Sequence, residues 1–170
     1  MNPMRNIRIE KLTLNVGTGK EQQKLEKGIA LIKHIVGIEP VKTITSKRIA
    51  GWGLRPGLPI GCKLTLRGKK ADKVLRPLLG AKDHILNQSC FDDNGNISFG
   101  IDEYIDIPDI EYNADIGIMG FQVTVTLERP GFRIKRRKLF KKQLPSSHKI
   151  KQEEAIQFMK ESYEIKLGEE

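Results

Sequence analysis

The chain has few cysteines and no long apolar run, and both shortages restrict the kind of protein it can be. Its two cysteines, Cys62 and Cys90, lie far apart and form no CxxC pair, so we expect reduced thiols rather than a zinc site. No apolar stretch approaches the roughly 18 residues of a membrane span, and residues 1–5 lack the apolar core of a signal peptide. We therefore expect a cytoplasmic protein that has no membrane partner.

Neither the histidines nor the acidic residues form a pattern typical of a catalytic or metal site. The three histidines, His34, His84 and His148, are widely separated. A cluster of acidic residues has no histidine or cysteine partner at metal-ligand spacing. Its members are Asp102, Glu103, Asp106, Asp109, Glu111 and Asp115. A solvated loop, or a face that meets a basic partner protein, is the better interpretation, and we predict neither a metal nor a cofactor.

Charge is segregated along the chain. Residues 41–82 carry eleven Lys and Arg against one acid, Asp72, and residues 129–151 carry ten Lys and Arg and no acid. Residues 92–118, in contrast, carry eight acidic residues and no Lys or Arg. A solvated surface is one explanation of such runs. Two separate basic segments in a chain of net charge +9 favour a polyanionic partner instead.

Alternation of apolar and polar residues predicts strands over residues 7–16, 41–49, 61–67, 97–101 and 121–127. The first strand has a one-residue phase slip at Lys11 and ends at a glycine-rich turn. Within residues 61–67 the apolar side chains share one face, which leaves Lys63, Thr65 and Arg67 on the other. One face of the sheet is therefore expected to pack, and the other to be free to bind.

Helical spacing of apolar residues predicts helices over residues 25–36, 71–79 and 152–167. Gly37, before Pro40, should end the first helix, and Pro77 disturbs the last turn of the second. We predict a two-layer α+β fold with a mostly antiparallel sheet and helices packed on one face. A basic C-terminal extension that ends in a helix completes it.

The extension divides the chain into two predicted parts. Residues 1–128 are predicted to form an α+β domain that binds a polyanion such as RNA, and residues 129–170 the basic extension and the last helix, packed on the same domain. The extension begins with the run RIKRRKLFKK, which is too cationic to pack by itself and is expected to be ordered mainly by its ligand. Its candidate RNA-binding residues are Arg133, Lys135, Arg136 and Arg137.

The turn Gly17-Thr18-Gly19-Lys20 lies between a strand and a helix, where nucleotide enzymes bind phosphate. The spacing fails for a Walker loop, because Leu14 stands where its first glycine is needed and Glu21 where its hydroxyl is needed. A nucleotide-dependent enzyme that uses this turn stays as the alternative function. In the RNA-binding hypothesis, the turn amides and Lys20 meet a phosphate.

Residues 45–68, TSKRIAGWGLRPGLPIGCKLTLRG, combine cationic side chains with the only tryptophan of the chain, Trp52. An accessible ring beside positive charge is typical of nucleic-acid binding, although a lone tryptophan also commonly packs in a core. A protein that binds acidic lipid would need a cationic amphipathic helix, and the basic segments here predict strand, loop and tail instead.

These segments resemble the universal large-subunit ribosomal protein family that binds 5S ribosomal RNA, in its archaeal and eukaryotic form. The resemblance rests on NPMRNIRIEKLTLNVGTG, on PVKTITSKRIAGWGLRPGLPIGCKLTLRG, and on FDDNGNISFGIDEYIDIPDIEYNADIGIMGFQVTVTLERPGFRIKRRK. It covers almost the whole chain, and IGCKLTLRG and NGNISFGIDEYIDIP are specific to the family. Relatives in bacteria have an additional N-terminal helix and stop near the last strand of the sheet.

The resemblance implies a role for particular residues. Asn15, Thr18 and Thr65 would hydrogen-bond 5S RNA, and Trp52, where the family usually has phenylalanine, would stack on or pack against RNA. The complete set of predicted RNA-binding residues is Asn15, Thr18, Lys20, Thr45, Lys47, Arg48, Trp52, Arg55, Lys63, Thr65, Arg67, Arg133, Lys135, Arg136 and Arg137.

The resemblance also implies a non-catalytic place in the central protuberance of the large subunit, where the protein would be a monomer within the ribosome. The expected partners are 5S ribosomal RNA, large-subunit ribosomal RNA, peptidyl-site transfer RNA and a ribosomal protein of the small-subunit head. Lys47, Arg48 and Arg55 frame the loop that the family points toward the transfer RNA.

Overall fold

The computed structural model describes residues 2–108 and 110–168, so Asp109 of the acidic cluster lies outside the described residues. The helices and strands are β1 Arg8–Gly17, α1 Gln22–Val36, β2 Val41–Ile44, β3 Pro59–Leu66, α2 Lys69–Gly80, β4 Ile85–Asn87, β5 Asn96–Ile101, β6 Phe121–Glu128, α3 Gln152–Tyr163 and β7 Lys166–Gly168. Short 3-10 turns connect several of them.

A five-stranded antiparallel sheet forms one layer, with strand order β2-β3-β1-β6-β5. The central strand, β1, pairs with β3 on one side and with β6 on the other. Its register against β6 shifts between Ile9 and Lys11, which confirms the phase slip predicted at Lys11. A β-bulge of this kind lets Leu12, Leu14 and Val16 face the core although the alternation breaks upstream.

The helices form the second layer. Helix α1 packs on β1 and β3, and α2 packs on β1. Both present apolar stripes, which include the fully buried Leu31, Ile32, Leu75 and Leu78. The predicted two-layer α+β fold is thereby confirmed. Within the described residues, no helix has the length and apolarity needed to cross a membrane.

The C-terminal end predicted for α1 agrees with the structure, whereas α2 extends to Gly80, beyond its predicted end at Leu79. Gly37 takes a left-handed conformation and donates its backbone N–H to the carbonyl of Lys33 at 2.8 Å, which ends α1. Helix α2 continues through Pro77 to Gly80, although this proline has no N–H to donate to the carbonyl four residues earlier.

Two predicted boundaries are wrong. The strand expected over residues 41–49 ends at Ile44, because the chain turns into a loop at Thr45. The helix expected to reach Leu167 ends at Tyr163, and Glu164 then adopts a left-handed conformation that reverses the chain. Leu167 lies in β7, which pairs in parallel with β4, and local periodicity gives no signal of this long-range pairing.

The run RIKRRKLFKK, residues 133–142, is expected not to pack, and none of its residues is buried, whereas residues that flank it are. Arg129, Phe132 and Ile150 are buried, at 4%, 4% and 1% exposure. Helix α3 contributes Ala155, Met159 and Tyr163 to the same apolar cluster as the sheet and the first two helices. A few well-placed apolar residues therefore dock a segment whose overall composition is strongly cationic.

Candidate nucleic-acid interface

The sheet face opposite the helices carries the first group of predicted RNA-binding residues. Because directly paired residues of antiparallel strands share a face, the ladder places Lys63 beside Asn15, and Thr65 beside Thr13. Gln122 pairs with Asn15 from the other side. The open face is defined by these residues together with Thr124 and Ser98, which continue the row across β6 and β5.

Polar side chains of the open face are held in place by one another. The Asn15 side-chain amide donates to Oε1 of Gln122 at 3.2 Å, and the hydroxyls of Ser98 and Thr124 lie 3.1 Å apart. The face thus presents hydroxyl and amide groups in fixed positions, with Lys63 exposed among them. Such groups can hydrogen-bond ribose and base edges while the lysine contacts phosphate.

The second group lies on a loop over residues 45–58 that connects β2 to β3. Its base is closed by backbone hydrogen bonds from Thr45 N to Leu58 O at 2.9 Å and from Gly57 N to Thr45 O at 2.9 Å. Further out, Ile49 and Leu54 exchange backbone hydrogen bonds of 3.1 and 3.0 Å, and Leu54 is buried. The 45–58 loop is therefore a folded feature with an apolar anchor.

Trp52 lies at the outer turn of this loop, in a 3-10 helix spanning Ala50–Trp52. Its exposure is 71%, so the packing alternative for the lone tryptophan is wrong. Lys47, Arg48 and Arg55 are exposed on the same loop, and none of them forms an ion pair with a carboxylate in the part of the chain that the structure describes. An aromatic ring and three free cations together suit a single-stranded or unpaired nucleotide.

The glycine turn after β1 does not form a phosphate cradle, contrary to the prediction for its amides. The backbone N–H groups of Thr18 and Gly19 both donate to the carbonyl of Ile60, at 3.0 and 3.1 Å. The Thr18 hydroxyl donates to the same oxygen at 3.3 Å, and Thr18 is only 8% exposed. The turn instead fixes the end of β1 to β3. Lys20 is exposed, and its side chain lies against Gly53 of the 45–58 loop.

Thr45 and Arg67 differ in their accessibility. Thr45 is 8% exposed, and its hydroxyl has no hydrogen-bond partner within the described residues. Arg67 directly follows β3 and is exposed. Arg67 is thus free to contact RNA, whereas Thr45 lies beneath the loop.

The third group lies on the extension. The Arg136 guanidinium donates to Glu10 at 2.5 Å and to Glu128 at 2.8 Å, so a phosphate would have to compete with two carboxylates for it. Lys135 lies over the Phe132 ring, 4.9 Å from its centroid. Arg133 and Arg137 are exposed. Of the predicted cations here, Arg136 has the clearest structural role.

The 45–58 loop and the extension lie toward opposite ends of β1. The 45–58 loop and the glycine turn lie at the Gly17 end of β1, whereas Arg136 is tied to Glu10 and Glu128 near the other end. A ten-residue strand separates these ends by about 30 Å. Thr13, Thr124 and Ser98 were not among the predicted site residues, although the outward alternation of β6 already pointed to Thr124.

The acidic loop spans residues 102–115, and its described carboxylates show no arrangement for catalysis. Asp102 pairs with Lys82 at 3.1 Å, and Tyr112 is 58% exposed. No group of three or more potential metal ligands occurs among the described residues. Burial raises the pKa of the Cys62 thiol to about 11, so that thiol stays protonated and packs in the core. The exposed carboxylates and Tyr112 are placed to contact a partner, whereas Cys62 is a core residue.

Two models of one protein family match this chain. The family model described as "Ribosomal protein L5" matches residues 2–55, and the companion model for the C-terminus of the same ribosomal protein family matches residues 59–158. Together the two models span nearly the whole chain.

Several archaeal proteins named "Large ribosomal subunit protein uL5" are similar over their full length. The protein from Sulfurisphaera tokodaii is 44% identical, over 99% of this chain and 96% of its own length. That from Nanoarchaeum equitans is 46% identical over 98% of both chains, and that from Methanobrevibacter smithii is 42% identical over 97% of both. The chain belongs to the ribosomal protein L5 family.

Proposed function

We propose that this protein binds 5S ribosomal RNA through the open face of its sheet, and that it thereby holds that RNA in the large ribosomal subunit. Family membership makes it a structural component of the cytoplasmic ribosome and not an enzyme. The observation that carries the finer proposal is the row in which Lys63, Asn15 and Gln122 lie side by side without a helix above them.

The open face supplies two kinds of interaction with RNA. Lys63 and Arg67 neutralise phosphates and release counterions, which gives affinity that falls with salt. Asn15 and Thr65 have hydrogen-bonding groups at fixed positions, which suit the 2′-hydroxyls and base edges of a folded RNA. The contacts to phosphate position the RNA, and the polar contacts select it.

The test is an electrophoretic mobility titration of the purified protein with 5S RNA and with a non-cognate RNA of equal length, at two salt concentrations. We expect tighter binding to 5S RNA at both, with a steep fall in affinity as salt rises. Equal affinity for the two RNAs would contradict selective binding.

A second test uses assembled particles. A folded variant in which Lys47, Arg48, Lys63 and Arg67 are all neutralised should leave large subunits depleted of 5S RNA. Particles that retain a full complement of 5S RNA with this variant would refute the proposal.

The 45–58 loop extends the same proposal to transfer RNA in the peptidyl site. Arg48 and Arg55 are exposed and free of ion pairs with the described carboxylates, and Trp52 stands between them on a closed loop. The double change Arg48→Gln and Arg55→Gln should weaken peptidyl-site transfer RNA binding to reconstituted ribosomes far more than it lowers their 5S RNA content. Unchanged transfer RNA binding would remove this part of the proposal.

The acidic loop supports a contact with a basic protein of the small-subunit head. Glu103, Asp106 and Glu111 are exposed there, near the exposed Tyr112, and like charge keeps RNA away from this side. Neutralising these three acids should weaken association of the two ribosomal subunits, measured by light scattering. Association that is independent of these charges would argue against the bridge.

A further inference from the structure

Two adjacent apolar residues in the basic extension are more exposed than the other large apolar residues of the described chain. Leu139 is 72% exposed and Phe140 is 82% exposed. Single exposed apolar residues are common on protein surfaces and need no explanation. A neighbouring pair at the tip of a cationic loop is unusual, because most of the surface of both residues stays in contact with solvent.

The loop that carries this pair is fixed at its base. Phe132 is buried, and Arg136 binds Glu10 and Glu128, whose side chains are only 8% and 9% exposed. The backbone N–H of Lys142 donates to the carbonyl of Ile134 at 3.3 Å, which closes the loop. Residues 136–142, which we call the apolar tip loop, are therefore held at both ends.

The backbone at the tip is itself constrained. Phe140 has a φ of +51°, a left-handed conformation that bulky residues seldom adopt. Its carbonyl accepts a hydrogen bond of 2.8 Å from Nε of Arg137. A bulky residue held in a disfavoured conformation at an exposed tip indicates a functional constraint, since nothing in the core benefits from it.

The positive charge of the apolar tip loop favours RNA over a protein as its partner. Around the apolar pair stand Lys138, Lys141, Lys142 and the exposed Arg137, and residues 129–151 contain no acidic residue. An apolar pocket in a partner protein would need a dense acidic rim to accept so many cations. RNA offers phosphates for the cations and the face of an unpaired base for the ring.

We propose that the apolar tip loop is a second RNA-binding site, in which Phe140 stacks on an unpaired base of ribosomal RNA while the neighbouring cations hold the flanking phosphates. This inference rests on the proposed function and adds a base-stacking contact to it. The site lies away from the 45–58 loop, toward the opposite end of β1. In this proposal the 45–58 loop and the apolar tip loop bind RNA at two separated sites.

Phe140→Ala tests the contact by affinity. The probes are 5S ribosomal RNA and deproteinised large-subunit ribosomal RNA, titrated separately. Phe140→Ala should raise the dissociation constant for at least one of them by about 5- to 150-fold, the range expected for loss of one stacked base. Phe140→Trp should bind like the wild type, and Tyr112→Ala, an exposed ring in the acidic loop, is the matched control with unchanged affinity.

A fluorescence measurement tests stacking directly. The chain has one tryptophan, so the double change Trp52→Phe and Phe140→Trp places the only indole at the tip. Saturating RNA should quench this indole, because stacking on a base brings the two rings into contact. Either result alone, an unquenched indole or an unchanged affinity of Phe140→Ala for both RNAs, would overturn the inference.

The remaining outcomes separate this inference from the proposed function. If the wild type binds neither RNA, the proposed function fails, and this inference fails with it. If the wild type binds and Phe140→Ala binds equally well, only the tip site fails. Normal RNA binding by Phe140→Ala with loss of the variant from reconstituted subunits would show that the tip docks on a protein, which also overturns the RNA site.

Discussion

At the scale of single residues, substitution of Trp52 tests the contribution of stacking to RNA affinity without changing the charge of the protein. Trp52 is 71% exposed on a closed loop, so its removal leaves the core intact. We predict that Trp52→Ala weakens 5S RNA binding by about 1–3 kcal/mol without changing the salt dependence, since the ring neutralises no phosphate. Mobility titrations at several salt concentrations measure both quantities. Trp52→Phe is the control and should restore most of the affinity; an unchanged dissociation constant for Trp52→Ala would exclude stacking.

Substitution of Lys63 tests the contribution of charge to RNA affinity. The Lys63 ammonium is exposed on the open face beside Asn15, so it is placed to contact a phosphate. Lys63→Gln should weaken binding to cognate and non-cognate RNA alike, and should reduce the logarithmic salt slope by about 0.7–0.9. Lys33→Gln, an exposed lysine on α1, should leave both unchanged. A selective loss for 5S RNA with an unchanged slope would show that Lys63 recognises a base instead.

At the scale of elements, Gly61 permits the close approach of β3 and β1. A side-chain carbon at this position would lie 2.4 Å from the carbonyl oxygen of Val16, which is backbone and cannot move aside. We predict that Gly61→Ala lowers the free energy of unfolding by about 1–3 kcal/mol. Gly100→Ala is the matched control, because a carbon there meets no atom within 4 Å. Chemical denaturation measures both, and equal stability of the two variants would contradict the prediction.

The attachment of α3 depends on the ion pair between Arg129 and Glu154, whose closest atoms are 2.7 Å apart. Burial alone would raise the pKa of Glu154, but hydrogen bonds from the Lys151 backbone and Arg129 outweigh it, so the pKa lies below its ordinary value of 4.5. A lowered carboxyl pKa adds stability above about pH 4.5, and this stability is lost as the pH falls through the lowered value. The contribution of this ion pair to the attachment of α3 therefore depends on pH.

Removing the charge of Glu154 should therefore reduce stability at the pH values where the wild-type carboxyl is ionised. Glu154→Gln should destabilise the protein by about 1–3 kcal/mol at pH 7, because the buried Arg129 loses its charged partner. The difference from the wild type should shrink as the pH falls from 5 toward 3. Denaturant unfolding at each pH measures it, with Glu153→Gln, an exposed acid in the same helical turn, as control. A difference that is independent of pH would show that the charge of Glu154 contributes nothing.

At the scale of the whole molecule, one apolar cluster joins the sheet, the three helices and the extension. Leu14 of β1, Leu75 of α2 and Met159 of α3 all belong to it, each at 0% exposure. Met159→Ala should therefore lower the stability of the entire chain by about 2–5 kcal/mol and keep a single unfolding transition. Calorimetry measures this, and Ile118→Ala, an exposed position, should have little effect. Two resolved transitions would mean that residues 129–170 fold separately.

Charge separation is the other property of the whole molecule. The open face and the 45–58 loop are cationic or neutral, whereas the acidic loop carries exposed carboxylates. RNA is attracted to the first surface and repelled from the second, which orients the protein between an RNA and a basic partner. The sequence already contains this asymmetry as separate charge runs, and the fold converts it into separate surfaces.

Local pattern determined much of this protein. Period-two alternation located β3, β5 and β6, the stripe from Leu25 to Val36 located α1, and the phase slip at Lys11 indicated the bulge, because each depends on neighbours within a few residues. The family resemblance and the basic segments were also present in the sequence alone. The exposure of Trp52 was left open by the sequence, since the same residues suit a core or a surface.

Only the tertiary structure decided the rest. The amides of Thr18 and Gly19 donate to the carbonyl of Ile60, and β7 pairs with β4. Arg136 binds Glu10 and Glu128. Apart from Glu128, each partner lies 40 or more residues away in the sequence. The composition of residues 133–142 predicts that they do not pack, and none of them is buried; the segment is docked by the buried Arg129, Phe132 and Ile150 on either side of that run. Which cations remain free for RNA is settled by such distant contacts, because a charged group is available only where the fold brings it no partner.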